Sequence, residues 1–257
     1  MSLSLLAHDF KLLLFGAFPD GSLGGLSLNL LEAFGALSLG FLLSLPLGIA
    51  RKANSRIVRW PATCLIETVK AIPVLLLVFW AYLLLPLLFP ADLPPLVSAL
   101  LSFTLYSTVY LAEILRAGIE AIPATQRDAA LASGMHYYQW QLYVCLPQAI
   151  RRMIPCYASF FISIFKDTSV LYIIGIMDIL QFGLTMSASH PDRILPIYGE
   201  MGLCLFIVCQ SIGFAASWLE KRYEMADCQM CRTVARRKTT APAQTEVTTT
   251  TFLKSTT

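Results

Sequence analysis

Charge is what this sequence has least of. Only 14% of its 257 residues are Asp, Glu, Lys or Arg, while 56% are hydrophobic and the mean hydropathy is +0.66. Soluble domains carry roughly 25% charged residues, so water is excluded as the main solvent. Histidine is scarce as well. The three residues, His8, His136 and His190, lie outside every long apolar run, which leaves a membrane enzyme without a histidine acid–base pair at one depth. A phosphate-binding GxxxxGK[ST] loop is missing. Neither Lys238-Thr239 nor Lys254-Ser255 follows a glycine-rich turn, so this chain is not expected to hydrolyse ATP and no catalytic residue is assigned. Segments of about 10 alternating residues, the mark of a membrane barrel, are also absent.

What is present is long apolar runs. Several reach the roughly 18 residues that mark a spanning helix. The fold expected is all-α with about five transmembrane helices, near 26–50, 63–89, 96–115, 154–176 and 197–219. Lys and Arg near the span ends set orientation. The first connection carries Arg51, Lys52, Arg56 and Arg59, and the third Arg116, Arg127, Arg151 and Arg152; the tail carries Lys221, Arg222, Arg232, Arg236, Arg237 and Lys238. The opposite side has Lys11 and Arg193. The N-terminus is therefore expected outside and the C-terminus in the cytoplasm.

Three regions follow. Residues 1–25 are read as an extracytoplasmic segment, without the basic start and cleavage site of a signal peptide. Residues 26–222 form the membrane domain, and 223–257 a disordered cytoplasmic tail, Thr-rich from Thr239 and too poor in apolar residues to offset its ordering entropy. Most of the seven cysteines (64, 145, 156, 204, 209, 228 and 231) fall in spans or on the reducing side. Cys228-x-x-Cys231 alone is weak evidence for a metal, and none is assigned.

A polar interruption separates the third and fourth spans. Residues 121–148 are too long for a structureless connection. Thr125 is placed to cap a helix with Asp128 three residues on, and Ala129-Ala130-Leu131-Ala132 favours helix. Gly134 suits a left-handed helix end. Met135 to Leu146 reads as a second short helix, with Pro147 ending or redirecting it. The plain alternative is an interfacial loop whose Tyr137, Tyr138, Trp140 and Tyr143 sit at the lipid boundary. His136 reads as a surface residue.

The spacing Asp128-Ala129-Ala130, three residues, Gly134, nine residues, Val144, Cys145, Leu146-Pro147 resembles the Glu-Ala-Ala loop of the membrane-spanning permease subunits of bacterial ATP-binding-cassette importers. Ala112-Glu113-Ile114-Leu115-Arg116-Ala117-Gly118-Ile119, Leu146-Pro147-Gln148-Ala149-Ile150-Arg151 and Lys166-Asp167-Thr168-Ser169 are similar to the polar amino acid uptake branch of that family. Glu67-x-x-Lys70-Ala71-x-Pro73 resembles a further motif on the second span. The resemblance covers roughly 23–223. Asp128 replaces the usual Glu, Lys70-Ala71 the usual Arg-Gly, and Thr125 a common Gly. At Lys70 the planar fork of Arg is lost.

The resemblance implies a bacterial inner-membrane subunit with a cytoplasmic coupling loop. Asp128, Ala129, Ala130, Gly134, Leu146 and Pro147 would couple it to a separate ATPase. The implied partners are an ATPase dimer that uses ATP and Mg, a second permease subunit, identical or paralogous, and an extracytoplasmic amino acid binding protein. The chain itself is expected to hold no cofactor and no nucleic acid. The substrate implied is a polar amino acid such as glutamate, aspartate or glutamine.

Charges within spans usually face a cavity or the bundle interior. Glu113, Lys166, Asp167, Thr168 and Ser169 are therefore candidates for the pathway or its gate, or for hydrogen bonds between helices. Glu67 and Lys70 share a helix face and are expected to pair; Glu113 with Lys166 is a second expected pair. The runner-up class is a passive channel or secondary transporter. It predicts an inverted repeat and no docking loop.

Overall fold

The computed structural model describes residues 11–16, 18, 23–53, 55–88 and 93–239, with side chains as far as Trp218. Ten α-helices are labelled below: α1 Gly25–Arg51, α2 Arg56–Ala71, α3 Val74–Leu88, α4 Pro95–Glu120, α5 Ala124–Ala132, α6 Tyr137–Gln139, α7 Leu146–Arg152, α8 Ile154–Asp167, α9 Ile179–Ser189 and α10 Ile194–Thr239. A π-helical segment Trp140–Cys145 joins α6 to α7, and a 3₁₀ segment Thr168–Ile174 extends α8. Among the described residues two isolated bridges replace any strand.

Among the described residues four helical stretches are long and apolar enough to cross a membrane: Gly25–Arg51, Pro95–Glu120, Ile154–Ile174 and Pro191–Trp218. A fifth span exists if the bent pair α2 and α3 counts as one.

That pair corrects the second expected span. Residues 63–89 do not form one straight helix, because α2 and α3 meet at 104°. Pro73 lacks an amide donor and pushes the residue before it out of the helical region. Ile72 is accordingly extended, with φ −93° and ψ 127°.

α1 and α4 form the centre of the bundle and pack through small residues. A Cβ added to Gly40 would lie 2.5 Å from Ser107 Cβ, and one on Gly48 would lie 3.2 Å from Ala112 O. Such close backbone approach supplies the dispersion contacts that hold membrane helices together where no hydrophobic effect acts between them. Ser102, Ser107 and Thr108 direct their hydroxyls to carbonyls of their own helix, which satisfies them in an apolar setting. Around this pair, Phe103, Phe165, Leu171, Ile179 and Ile197 are fully buried.

The ends of α8 and α9 are pinned to α1 by one buried amide. Asn29 Nδ2 donates to Thr168 Oγ1 at 3.1 Å, and Asn29 Oδ1 accepts the Ile179 N–H at 3.1 Å. Asp178 caps α9 by accepting from Gln181 N–H at 2.8 Å. Burial pushes the Asp178 carboxyl up to about 6, against hydrogen bonds that act to lower it.

The chain divides into two units, 1–217 and 218–257. The first holds the bundle. The second is helical in its backbone as far as Thr239, where a disordered tail from 223 was expected; 240–257, like most of the expected N-terminal segment, lie outside the described residues.

Candidate functional site

The polar interruption folds as an elbow with two unequal limbs. α4 ends at Glu120 with Ala121 as its cap, Ile122 is buried, and Pro123 turns the chain into α5. The expected cap at Thr125 is not made. Pro123, with ψ 136°, occupies the cap position, and the helix starts at Ala124, so Thr125 falls inside the first turn. Asp128 accepts from Arg127 Nε at 3.1 Å and is largely exposed. At the other end Gly134 is left-handed (φ +85°), as its spacing predicts. Gly134 N–H donates to Leu131 O and Met135 N–H to Ala130 O, the paired bonds that close a helix end with a glycine turn. Nothing lies within 4 Å of a Cβ built on Gly134, so the backbone conformation, not crowding, calls for glycine there.

The second limb differs from the expected helix over 135–146. Gln139 Oε1 accepts the His136 N–H at 2.9 Å and starts it. The helix then widens, with Leu146 N–H reaching back five residues to Gln141 O. Pro147 does not end the chain's helical path; it sits in the first turn of α7. A proline ring clashes with the carbonyl four residues earlier and donates no bond. A widened turn just before it removes the clash, as π-bulges do elsewhere.

The inner limb is anchored. Trp140, Cys145 and Ala149 are buried against Leu115, Ile119 and Ile122. Gly118 lets α7 approach α4 closely, since a Cβ there would lie 2.6 Å from Met153 Cγ and 3.2 Å from Ala149 O. Burial pushes the Cys145 thiol up, which keeps it a packing group instead of a nucleophile. Arg152 closes the base with a 3.2 Å bond to Ala121 O.

The outer limb is held far more lightly. No residue of α5 is buried. Ala130 and Leu146 lean on the anchored cluster, while Ala129, Gly134 and Pro147 are exposed. With Leu131, Tyr138 and Tyr143 also exposed, the elbow offers an apolar and aromatic face.

At the root of the elbow runs a chain of alternating charges. Arg51 donates to Glu67 Oε1 at 2.7 Å and, through its other terminal nitrogen, to Glu113 Oε2. Arg116 grips Glu113 Oε1 with Nε and Nη2 at 3.0 and 2.7 Å, and Glu120 at 2.6 Å. Lys52 reaches Glu120 at 3.2 Å. Lys70 lies 4.0 Å from Glu67, so the expected Glu67–Lys70 pair exists but is the looser of Glu67's two contacts. The chain ties α1, α2 and α4 together at the level where α1 ends.

Glu113 is therefore not paired with Lys166. Its charge is taken up by Arg51 and Arg116 at the basic end of the bundle. Lys166 is exposed, Asp167 and Ser169 are half-buried, and Thr168 is buried, accepting from Asn29 and donating to Phe165 O. Pro73 sits at the break between α2 and α3, away from this group in role.

Two residues central to this geometry escaped the sequence reading. Arg51 registered only as a marker of orientation, and Asn29 not at all. The available signals were a cation ending one apolar run with acids ending two others, and a lone amide inside an apolar stretch.

The chain matches the family described as binding-protein-dependent transport system inner membrane component over residues 40–224. It belongs to this family. It is a multi-pass protein of the bacterial inner membrane. Among curated relatives of this transport component is a probable glutamine ABC transporter permease protein of Bacillus subtilis (strain 168). It is 32% identical over 200 residues, covering 77% of this chain and 91% of the relative. A glutamate/aspartate import permease protein of Escherichia coli O157:H7 is 30% identical over 207 residues, covering 78% and 92%. Solved structures share the fold. An amino acid ABC transporter with histidines superposes with TM-score 0.73 at 24% identity, covering 86% of this chain and all of that one. The MetNI methionine ABC transporter gives 0.66 at 17% identity, covering 77% and 94%.

Proposed function

We propose that this transport component is the permease subunit of an ATP-driven importer for a polar amino acid, with the N-terminus outside and the elbow in the cytoplasm. The single observation that carries the reading is the unequal elbow. α5 projects with no buried residue, while its continuation is packed on α4. A projecting limb suits a groove on a separate ATPase subunit, and an anchored limb suits transmission of its movement. Push on α5 passes through Trp140, Cys145 and Ala149 to Leu115 and Ile119 of α4. From α4 it reaches α1 and α2 through Glu113 and Arg51. Rotation of such a bundle between two packings is an established switching mode.

The relatives named for glutamine and for glutamate/aspartate support the amino acid class. A binding protein outside would deliver the substrate, and a second permease copy or paralogue would complete the pathway. Lys166 and Asp167 at the end of α8 and Ser169 in its 3₁₀ extension are assigned to that pathway, with Thr168 holding α8 to α1. Glu113 is assigned to the transmission chain instead of the pathway.

The test is recovery of the ATPase. Leu131→Glu changes an exposed residue of α5 and leaves the anchored limb intact. It should insert and run as the parent does but lose the co-purifying ATPase and ATP-driven uptake. Undiminished recovery of an ATPase with this variant would remove the docking role.

A further inference from the structure

The transport function leaves α2 unexplained. Its Ala62, Ile66 and Val69 are buried and face the bundle. Spacing at 3.6 residues per turn sorts most of the remainder into two further faces. Arg56, Arg59, Thr63, Glu67 and Lys70 share one. Ile57, Trp60, Pro61, Cys64 and Thr68 share the other. The second face is apolar and open, with Ile57 86% and Trp60 69% exposed.

Depth is set by the bond between Arg51 and Glu67. Glu67 is held at 2.7 Å by Arg51, the last residue of α1. α2 therefore lies where a spanning helix ends, at the boundary between hydrocarbon and water. The 104° break before α3 lets α2 run across the direction of α3. Helices with one apolar face carrying Trp and one basic face lie in this plane of a bilayer, and Trp is enriched at that depth.

The two charged groups at the start of α2 are the deciding feature. Lys70 and Glu67 are paired, but the guanidinium groups of Arg56 and Arg59 enter none of the side-chain hydrogen bonds or ion pairs among the described residues. Beside them is an open groove of about 620 Å³ lined by Arg56, Ile57, Trp60 and Pro61. A guanidinium presents a planar fork of donors that matches phosphate oxygens. An apolar wall of Ile57 and Trp60 next to it matches the start of an acyl chain. Basic side chains beside the membrane surface attract anionic headgroups, and here Arg56 borders a groove whose other walls are apolar.

We propose that the N-terminal turns of α2 form a binding site for an anionic phospholipid. The phosphate is held by Arg56 and Arg59, and the chain lies along Ile57 and Trp60. The headgroup thereby clamps the amphipathic helix at the level of the charge chain that links α1, α2 and α4.

The experiment reads Trp60 fluorescence in the full chain, with whatever subunits co-purify, in lipid nanodiscs. Brominated phosphatidylglycerol is compared with brominated phosphatidylcholine at equal mole fraction, and Trp60→Phe isolates the Trp60 signal. Quenching by the anionic lipid should exceed that by the zwitterionic one by about twofold or more, and about 0.5 M salt should shrink the ratio. Arg56→Gln with Arg59→Gln should bring the ratio to about one, leaving quenching by the zwitterionic lipid unchanged. A ratio near one in the unaltered chain, or one that salt leaves untouched, would overturn the site. So would a ratio that survives in the double variant. Absence of Trp60 quenching by both lipids would show the face covered by protein, by a second copy or another subunit, and would overturn it equally.

Discussion

Arg51 ends an apolar helix and holds acids from two others, with only 14% of its side chain exposed. Hydrogen bonds to charged groups contribute about 1.5–3 kcal/mol each, and removing one partner from a largely buried pair costs more than removing one from an exposed pair. Arg51→Met is therefore expected to lower stability in detergent by about 2 kcal/mol. Glu67→Gln, at a carboxylate 55% exposed, should cost under about 1 kcal/mol. Chemical denaturation of the two variants checks this, and equal losses would refute the hub role of Arg51. Asp178 gives a pH prediction. Its carboxyl binds a proton more tightly folded than unfolded, being raised to about 6 by burial. Its contribution to stability is complete below the usual carboxylate range and is lost as pH rises through about 6. Asp178→Asn keeps a capping side chain and should flatten stability between about pH 4 and 6. A melting temperature in the variant that still falls across this window would assign the titration elsewhere.

At the scale of elements, the elbow depends on one dihedral. Gly134 closes α5 with φ +85° in open space. A β-branched residue in that conformation costs roughly 1–2 kcal/mol, whereas Asn visits it readily. Gly134→Val should speed hydrogen exchange of the α5 amides by about tenfold, Gly134→Asn should leave it near the parent, and α4 should be unaffected by either. Equal exchange in both variants would mean that the turn does not limit α5. The same logic of local backbone chemistry explains the bend at Pro73 and the widened turn before Pro147. In both, a proline was visible in the sequence as a disturbance. Whether it broke the helix by 104° or only widened one turn depended on the neighbours. Ile66 and Val69 pack α2 sideways onto α4, while Trp140 and Cys145 hold the loop helix on its path.

At the scale of the whole molecule, the bundle leaves much apolar surface uncovered. Only 11% of the apolar span within Pro191–Trp218 is buried, and Phe206 and Phe214 are largely exposed. Such faces suit lipid or a second subunit, and the inner-membrane family accounts for them. The apolar runs, the basic end and the elbow at Gly134 were legible because each is a local property: hydropathy over a helix length, charge beside a span, a glycine where a helix must stop. Thr168 was legible as a candidate, but its bond to Asn29 was not, because the partners are 139 residues apart. Glu113 was read with the wrong cation for the same reason. Composition and spacing by themselves determined that this chain crosses a membrane several times and carries an exposed helical elbow. Only the tertiary structure decided which charges neutralise one another and which limb of the elbow is held. A side chain's partner depends on where distant helices cross, and no local preference encodes that.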